Sequence, residues 1–327
     1  MQHPIRLSSR LCALLFVAVT SASAADYPSR PITLVVPYGA GGSNDTLSRI
    51  VAEHMSRTLG QPIIIENDPG AGGTTPTARA ARAAADGYTL IMGNMGTHGV
   101  APTQYANLKY DPLKDFTPIG LAAGVPAVIV TKKDFPPTTL KDFIDYVKAN
   151  EAKVNEAHVG VGSPTHTFCT LLQSIMGTKT ARVAYRGGSQ AINDLVGGQV
   201  DFMCISLSGA VAQIQGGMVK PIAIASPERV PIIKDVPTTK EAGLPQFQVS
   251  AWNALFAQRN LPTDIQAKLT DALAKALDDA SVHKRLTDLG FVIPDKAERT
   301  PDALRTRVET EVLRWSSLLK GTVATSN

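Results

Sequence analysis

The chain has 327 residues, of which 44% are hydrophobic and 18% are charged, and its formal net charge is +4. This composition excludes a disordered chain, and so weak a charge gives no argument for binding to nucleic acid or to anionic lipid. The length is too great for one compact core, so two lobes are expected.

The first 24 residues have the features of a secretory signal peptide. Arg6 and Arg10 supply positive charge, an apolar stretch covers residues 11–19, and small residues end at Ala24, in the order that a cleavable leader shows. A buried first helix is the alternative. The apolar stretch is shorter than the roughly 20 residues of a membrane-spanning helix. We therefore expect cleavage before Ala25 and a periplasmic protein.

Two cysteines, Cys169 and Cys204, remain after such a cleavage. An oxidising compartment permits a disulfide between them. Two thiols in a sequence do not show that they meet, so the bridge stays an open alternative.

Strands and helices alternate along the first third of the chain. Apolar, β-rich runs predict strands that are buried on both faces, and apolar residues at helical spacing predict the helices between them. Such alternation predicts a parallel sheet of right-handed βαβ units. The predicted strands are residues 32–36, 63–65 and 88–92, and the predicted helices are residues 43–59 and 74–85.

The same order of elements returns in the second part of the chain. Strands are predicted at residues 127–131, 158–161, 183–185 and 200–204, with helices at 140–150, after 164 and after 189. Beyond Pro262 two amphipathic helices are predicted, one with a stripe of Ile265, Leu269 and Leu273, the other with Leu304, Val308, Val312, Trp315 and Leu319.

Three glycine-rich turns join a predicted strand to a predicted helix, at residues 39–44, 70–75 and 160–165. The first N–H groups of a helix have no partner within it, and the helix dipole adds positive charge there, so such turns are seats for anions. None of the three contains Lys or Arg. A carboxylate can be held by N–H and hydroxyl donors alone. Turns of this kind are also common in α/β folds and often bind nothing.

A dinucleotide-binding enzyme is the chief alternative. Residues 39–44 nearly match G-x-G-x-x-G, and Glu66 ends the next strand, where a ribose-binding acid belongs. Asn44 in place of the last Gly or Ala weakens this interpretation, as does export.

Hydrolase and metal chemistry have less support. Asp45 replaces the last Gly of a G-x-S-x-G elbow, and nothing places His98 or His166 beside a nucleophile. His166 and Cys169 alone do not make a zinc site. We expect no catalysis, no cofactor and no metal.

Several motifs are those of a known receptor family. They lie at residues 27–32, 36–45, 66–73, 86–90, 110–116, 195–201 and 235–245. Through them the chain resembles the Bug (TctC-like) receptors of tripartite tricarboxylate transporters over essentially its whole mature length.

The resemblance implies an α/β periplasmic binding protein of two lobes and type II topology. A hinged cleft would separate two mainly parallel sheets flanked by helices, with lobe 1 at residues 26–125 plus 251–327 and lobe 2 at 126–250. It also implies that a small organic carboxylate is passed to two integral membrane subunits. We expect the receptor itself to be a monomer.

The resemblance implies two carboxylate-binding loops, residues 39–45 and 160–167. Asp45 is expected to orient its loop rather than to touch an anion, because like charges repel. The candidate ligand-binding residues are Tyr38, Gly41, Gly42, Ser43, Asn44, Asp45, Gly72, Gly73, Thr97, His98, Ser163, Thr165, His166, Thr167, Asp201 and Ser206.

One departure from the family pattern concerns the ligand. Residues 204–206 stand where many members have a second acid–amide pair, so we expect a ligand without a cationic group. Phe168, Met203 and Tyr38 are candidates for an apolar wall. This favours an aromatic dicarboxylate such as terephthalate, with an aliphatic di- or tricarboxylate such as citrate as the alternative. Trp252 is expected to pack in the core, with ligand stacking as its alternative role.

Overall fold

A computed structural model of the protein describes residues 27–319. The predicted leader lies outside these residues. Within them, no helix combines the length and the apolar character that crossing a membrane requires.

The described residues form nine strands, and β1 to β8 alternate with helices. The strands are β1 Ile32–Val36, β2 Ile63–Asn67, β3 Thr89–Asn94, β4 Phe116–Lys132, β5 Asn155–His158, β6 Ala181–Ala184, β7 Phe202–Ser206, β8 Val219–Ile224 and β9 Ser250–Gln258. The helices are α1 Ser43–Leu59, α2 Thr74–Ala81, α3 Ala101–Gln104, α4 Leu140–Ala149, α5 Pro164–Met176, α6 Gly188–Val196, α7 Val211–Gln215, α8 Thr263–Asp278, α9 Ala280–Thr287 and α10 Pro301–Leu318.

The sheet of the first lobe has the strand order β2-β1-β3-β9-β4. Strand β1 lies parallel to β2 and β3, and Leu34 pairs with both Ile65 and Leu90. Strand β9 is antiparallel to β3 and β4. The parallel part confirms the βαβ prediction and places the carboxyl ends of β1 and β3 at one edge, next to the start of α1.

The sheet of the second lobe contains β8, β4, β7, β5 and β6, in that order. Strand β5 is parallel to β6 and β7, whereas β4 is antiparallel to β7 and β8. The 17-residue strand β4 therefore belongs to both sheets, pairing with β9 in its first part and with β7 and β8 in its last. Strands β4 and β9 are thus two connections between the lobes.

The structure corrects several predicted boundaries. The strand predicted at 127–131 is the end of β4, and β8 and β9 were not predicted as strands. The helix predicted at 74–85 ends at Ala81, and the strand predicted at 158–161 ends at His158. Strands β3 and β7 each continue two residues beyond prediction, to Asn94 and Ser206.

The core shows that Cys169 and Cys204 are bonded to each other and that Trp252 has a packing role. Cys169 of α5 and Cys204 of β7 are bonded as a disulfide, with a Cα–Cα distance of 5.3 Å. Trp252 is buried and its Nε1–H donates to Glu311 of α10 at 3.2 Å. Trp252 therefore joins β9 to α10, the packing role expected of it.

Candidate functional site

A cavity of about 60 Å³ lies between the two lobes. The first lobe contributes the start of α1 and the ends of β1 and β3, and the second contributes the starts of α5 and α6 and the end of β7. Its lining residues are Tyr38, Gly42, Ser43, Asn44, Asn94, Val159, Pro164, Thr165, Gly188, Ile205, Ser206, Gly209, Ala251 and Asn253.

Three helix N-termini, from both lobes, meet at this cavity. Helix α1 begins after Gly42 and helix α6 after Gly187, and neither glycine provides a side-chain cap. Helix α5 is capped by Ser163, whose Oγ accepts from the backbone N–H of His166 at 3.4 Å. The first N–H groups of α1 and α6 are therefore available to a bound group.

The cavity wall carries no full charge. None of the described residues that line it is Asp, Glu, Lys, Arg or His. Its positive potential comes from the helix N-termini, and its polar side chains are hydroxyls and amides. Such a wall suits a carboxylate that is held by N–H, hydroxyl and amide donors.

Amide side chains form much of the wall contributed by the first lobe. Tyr38 donates its hydroxyl to Asn94 Oδ1 at 3.2 Å, and burial raises the pKa of this tyrosine. Asn94 also accepts from the Gly96 N–H at 2.8 Å. Asn44 donates to Asn253 Oδ1 at 2.9 Å. Asn94 and Asn253 were not among the candidates, because an amide at the end or middle of a strand has no distinctive sequence pattern.

Asp45 lies behind the first loop and does not line the cavity. Its carboxylate accepts from the Gly41 N–H at 2.8 Å, from Arg49 Nε at 3.0 Å and from Asn67 Nδ2 at 2.9 Å. Burial raises its pKa, but these hydrogen bonds outweigh that effect and lower the pKa overall. Asp45 therefore holds the glycine loop in place, the role expected of it.

Thr97 and His98 lie in the core behind β3. The His98 ring stacks on Phe256 with centroids 4.0 Å apart, and its Nδ1 lies 2.8 Å from Thr97 Oγ1. Burial lowers the pKa of His98 to about 3. Thr97 completes the cap of the turn that follows Asn94. Both residues support the wall and do not reach the cavity.

Of the candidate ligand-binding residues in the second loop, residues 160–167, some line the cavity and others lie in the core. Thr165 lines the cavity, and its Oγ1 accepts from the Val159 N–H at 3.0 Å. The His166 ring is turned away, with Nδ1 3.3 Å from the Gly162 N–H and Nε2 3.0 Å from Arg182. Thr167 is buried.

Gly41, Gly72 and Gly73 lie where neighbouring atoms leave no room for a side chain. At Gly72, where φ is +63°, an added Cβ would lie 1.9 Å from the Val161 carbonyl oxygen of the other lobe. Tyr105 contacts the Ala71 and Val161 carbonyl oxygens, both at 2.7 Å. The lobes thus meet around Gly41, which faces Ser189, and Gly72, whereas Gly73 packs against Pro37, Tyr38 and Thr97 of its own lobe.

Further contacts close the lobes near the cavity. Ser43 Oγ lies 2.5 Å from Ser208 Oγ, and Ser189 donates to the Ala40 carbonyl at 3.0 Å. A Cβ on Gly187 would lie 3.1 Å from the Gly39 Cα. The structure is therefore a closed form.

Asp201 is not brought to the site. It lies before the first residue of β7, whereas Ser206 lines the cavity at the other end of that strand, roughly 16 Å away at strand spacing. Its carboxylate pairs with Lys132 at 2.6 Å and accepts from the Asn155 N–H at 2.8 Å. Asp201 joins β7 to its neighbours.

A larger hollow of about 640 Å³ lies beside β4, β9 and α10, and includes Arg307 and Arg314. Arg307 is paired with Glu298 and Arg314 with Glu311, both at 3.1 Å. The guanidinium groups are thus already neutralised, which makes this hollow a weaker seat for an anion.

The fold and the interlobe cavity are those of a two-lobed periplasmic binding protein, a receptor class that encloses a solute. Solved structures agree: malate-bound MatC from Rhodopseudomonas palustris has a TM-score of 0.88 and 45% identity, covering 90% of this chain and 100% of that one. A second R. palustris protein, solved with adipate, has a TM-score of 0.85 and 31% identity, covering 90% and 98%.

The sequence matches the family model described as tripartite tricarboxylate transporter family receptor over residues 47–321, and the chain belongs to that family. It is 31% identical to the protein BugT of Bordetella pertussis over 323 residues, covering 97% of this chain and 98% of BugT. Members of the family are solute-binding receptors and not enzymes. The dinucleotide interpretation is therefore wrong, and Glu66 pairs instead with Arg79.

Proposed function

We propose that this receptor captures a short aliphatic dicarboxylate in the periplasm and delivers it to two integral membrane subunits of a tripartite tricarboxylate transporter. The observation that carries the proposal is the meeting of three helix N-termini, two of them without a side-chain cap, at an uncharged cavity between the lobes. One carboxylate would lie on the start of α1, at Ser43 and Asn44. The other would face Thr165 and Gly188.

The size and the wall of the cavity support an aliphatic rather than an aromatic acid. A volume of about 60 Å³ is only about twice the roughly 30 Å³ that one water molecule takes in the liquid, which suits a compact solute. Phe168 and Met203, two of the three residues that favoured terephthalate, are fully buried in the core and do not line the cavity. The malate and adipate of the two related structures are aliphatic dicarboxylates.

The lobe boundaries form part of the proposal. The pairing of β4 with β9 extends to Pro126 opposite Ser250, and its pairing with β7 begins at Ala127. These registers support boundaries at 125/126 and 250/251.

A thermal-shift and calorimetry screen tests the ligand class. Succinate, malate and adipate should raise the unfolding temperature more than citrate or terephthalate at equal concentration. At a hundredfold excess over Kd the ligand adds about 2.7 kcal/mol to stability. If no dicarboxylate shifts the transition, the proposal is wrong; a larger shift with terephthalate would restore the aromatic alternative.

Transport is tested separately in a deletion strain. Loss of uptake of the bound acid is expected, and re-expression of the receptor should restore it. Unchanged uptake, with binding retained in vitro, would instead favour a signalling adaptor.

A further inference from the structure

Two amide side chains in the cavity wall each have one polar atom with a hydrogen-bond partner among the described residues and one without. Asn44 is 6% exposed and Asn253 is 3% exposed, and both line the cavity. Asn44 Nδ2 donates to the Met92 carbonyl oxygen at 3.2 Å and to Asn253 Oδ1 at 2.9 Å. Within residues 27–319, the buried atoms Asn44 Oδ1 and Asn253 Nδ2 have no hydrogen-bond partner.

The Met92 carbonyl determines which way both amides point. A carbonyl oxygen only accepts, so Asn44 must direct its NH₂ group toward Met92. The same NH₂ group faces Asn253, which must therefore present its oxygen. One acceptor, Asn44 Oδ1, and one donor, Asn253 Nδ2, are left over. Reversing either amide would place two oxygens or two NH₂ groups against each other.

We propose that this pair recognises a hydroxyl group on the ligand, next to the carboxylate on α1, so that the receptor prefers a hydroxydicarboxylate. The inference rests on the proposed function and refines its ligand. A hydroxyl both accepts and donates, so one group satisfies Asn253 Nδ2 and Asn44 Oδ1 together. A carboxylate satisfies only the donor, and an ammonium group only the acceptor.

The expected preference follows from the cost of unpaired buried groups. A ligand with a hydrogen atom in place of the hydroxyl leaves the donor and the acceptor without partners. A malate-to-succinate affinity ratio of about ten to a hundred is therefore expected. The two acids have the same carbon chain and the same two carboxylates, so the ratio isolates the hydroxyl.

Calorimetric titration of the mature protein with each malate enantiomer and with succinate tests the inference. The better malate enantiomer should bind at least about tenfold more tightly than succinate in the wild type. Asn253→Asp keeps the oxygen that faces Asn44 but cannot donate when ionised, so the ratio should fall below about threefold. Ser208→Ala removes a contact between the lobes and should weaken both acids by the same factor, leaving the ratio unchanged.

The outcomes separate this inference from the proposed function. If the wild type binds succinate as tightly as malate, the inference is overturned while the dicarboxylate receptor stands. If the wild type binds none of these acids, both the inference and the proposed function are wrong. Should Asn253→Asp not fold, as thermal unfolding would reveal, the wild-type ratio alone still decides.

Discussion

His158 and His166 hold the loop that forms one wall of the cavity. The Gly160 N–H donates to His158 Nδ1 at 3.0 Å. The His166 ring lies between two donors, with the Gly162 N–H 3.3 Å from Nδ1 and the Arg182 guanidinium 3.0 Å from Nε2. A ring nitrogen that accepts a hydrogen bond carries no proton, and each ring has donors as neighbours, so each ring is neutral in this arrangement. Burial, with a further contribution from Arg182, lowers the pKa of His158 to about 4 and that of His166 to about 3.

Acid should therefore destabilise the protein through these rings. Below the unfolded histidine pKa of about 6.5 the unfolded state binds more protons. The free energy of unfolding should thus decrease as the pH falls from about 6.5 toward the folded values. Buried Glu156, whose pKa is raised to about 7, has the opposite effect. The contribution of a histidine to the pH dependence of the free energy of unfolding is therefore measured by comparing the wild type with a variant that lacks the ring.

His166→Asn retains an acceptor near the position of Nδ1 but does not titrate. Compared with the wild type, this variant should lose about 2 kcal/mol less stability between pH 6.5 and pH 4.5. Denaturant unfolding at several pH values measures the difference. Parallel curves for the two proteins would show that His166 does not couple to folding.

Residues of the wall differ in how well a sequence reveals them. Gly42, Ser43 and Thr165 were predicted because glycine and hydroxyl residues at a strand-to-helix turn have a direct physical meaning. Asn94 and Asn253 lie 159 positions apart in the sequence and meet only because β3 pairs with β9. That pairing is a long-range contact, which local patterns do not encode.

At the scale of elements, the start of α1 is the feature most directly open to test. Gly42 is its N-cap, with φ −79° and no side chain to satisfy the first N–H groups. An added Cβ there would have only ordinary contacts, 3.6 Å from the Gly39 carbonyl oxygen and 3.9 Å from the Gly188 N. A capping side chain therefore fits, and it would compete with a ligand carboxylate for the same donors.

Gly42→Asp should block binding without loss of stability. The new carboxylate would occupy the N–H groups of α1 and repel the ligand, so affinity should fall at least a hundredfold. The free energy of unfolding should stay level or rise by less than about 1 kcal/mol. Calorimetry and denaturant unfolding test the two halves of this prediction. Gly42→Ala adds the Cβ alone and should have the smaller effect on binding; full affinity in the Asp variant would exclude α1 as the seat.

Strand β4, which connects the lobes, shows why its full length was not predicted from the sequence. Strand β4 contains Pro118, Gly120, Gly124 and Pro126, residues that usually interrupt a strand. Its register with β9 shifts at two points between residues 118 and 123. Irregular pairing with β9 accommodates these residues, so only the apolar end of β4 had a strand pattern.

At the scale of the whole molecule, binding and closure are one equilibrium. A ligand shifts it only through contacts that are better in the closed form. In the closed form the backbones of Gly39 and Gly187, from opposite lobes, are nearly in contact, and a Cβ on either would lie within 3.2 Å of the other glycine's Cα. Closure therefore disfavours side chains larger than a methyl group at these two positions, whatever the ligand.

Gly187→Val should hold the lobes apart while each lobe folds normally. The residue has φ −160° and ψ 159°, an extended conformation that valine adopts readily, so the obstruction arises only when the lobes approach. The apparent Kd rises as the closed, binding-competent fraction falls, and we expect an increase of at least about tenfold. Small-angle scattering should show compaction on adding ligand in the wild type and none in the variant.

A graded series separates obstruction from damage to α6. In Gly187→Ala the Cβ lies 3.1 Å from Gly39 Cα, which a shift of a few tenths of an ångström relieves, so this variant should weaken binding less than Gly187→Val. Gly197→Ala changes the opposite end of α6 at an ordinary helical conformation and should bind like the wild type. Equal affinities across all three variants would mean that the ligand is held without the approach of the two glycines.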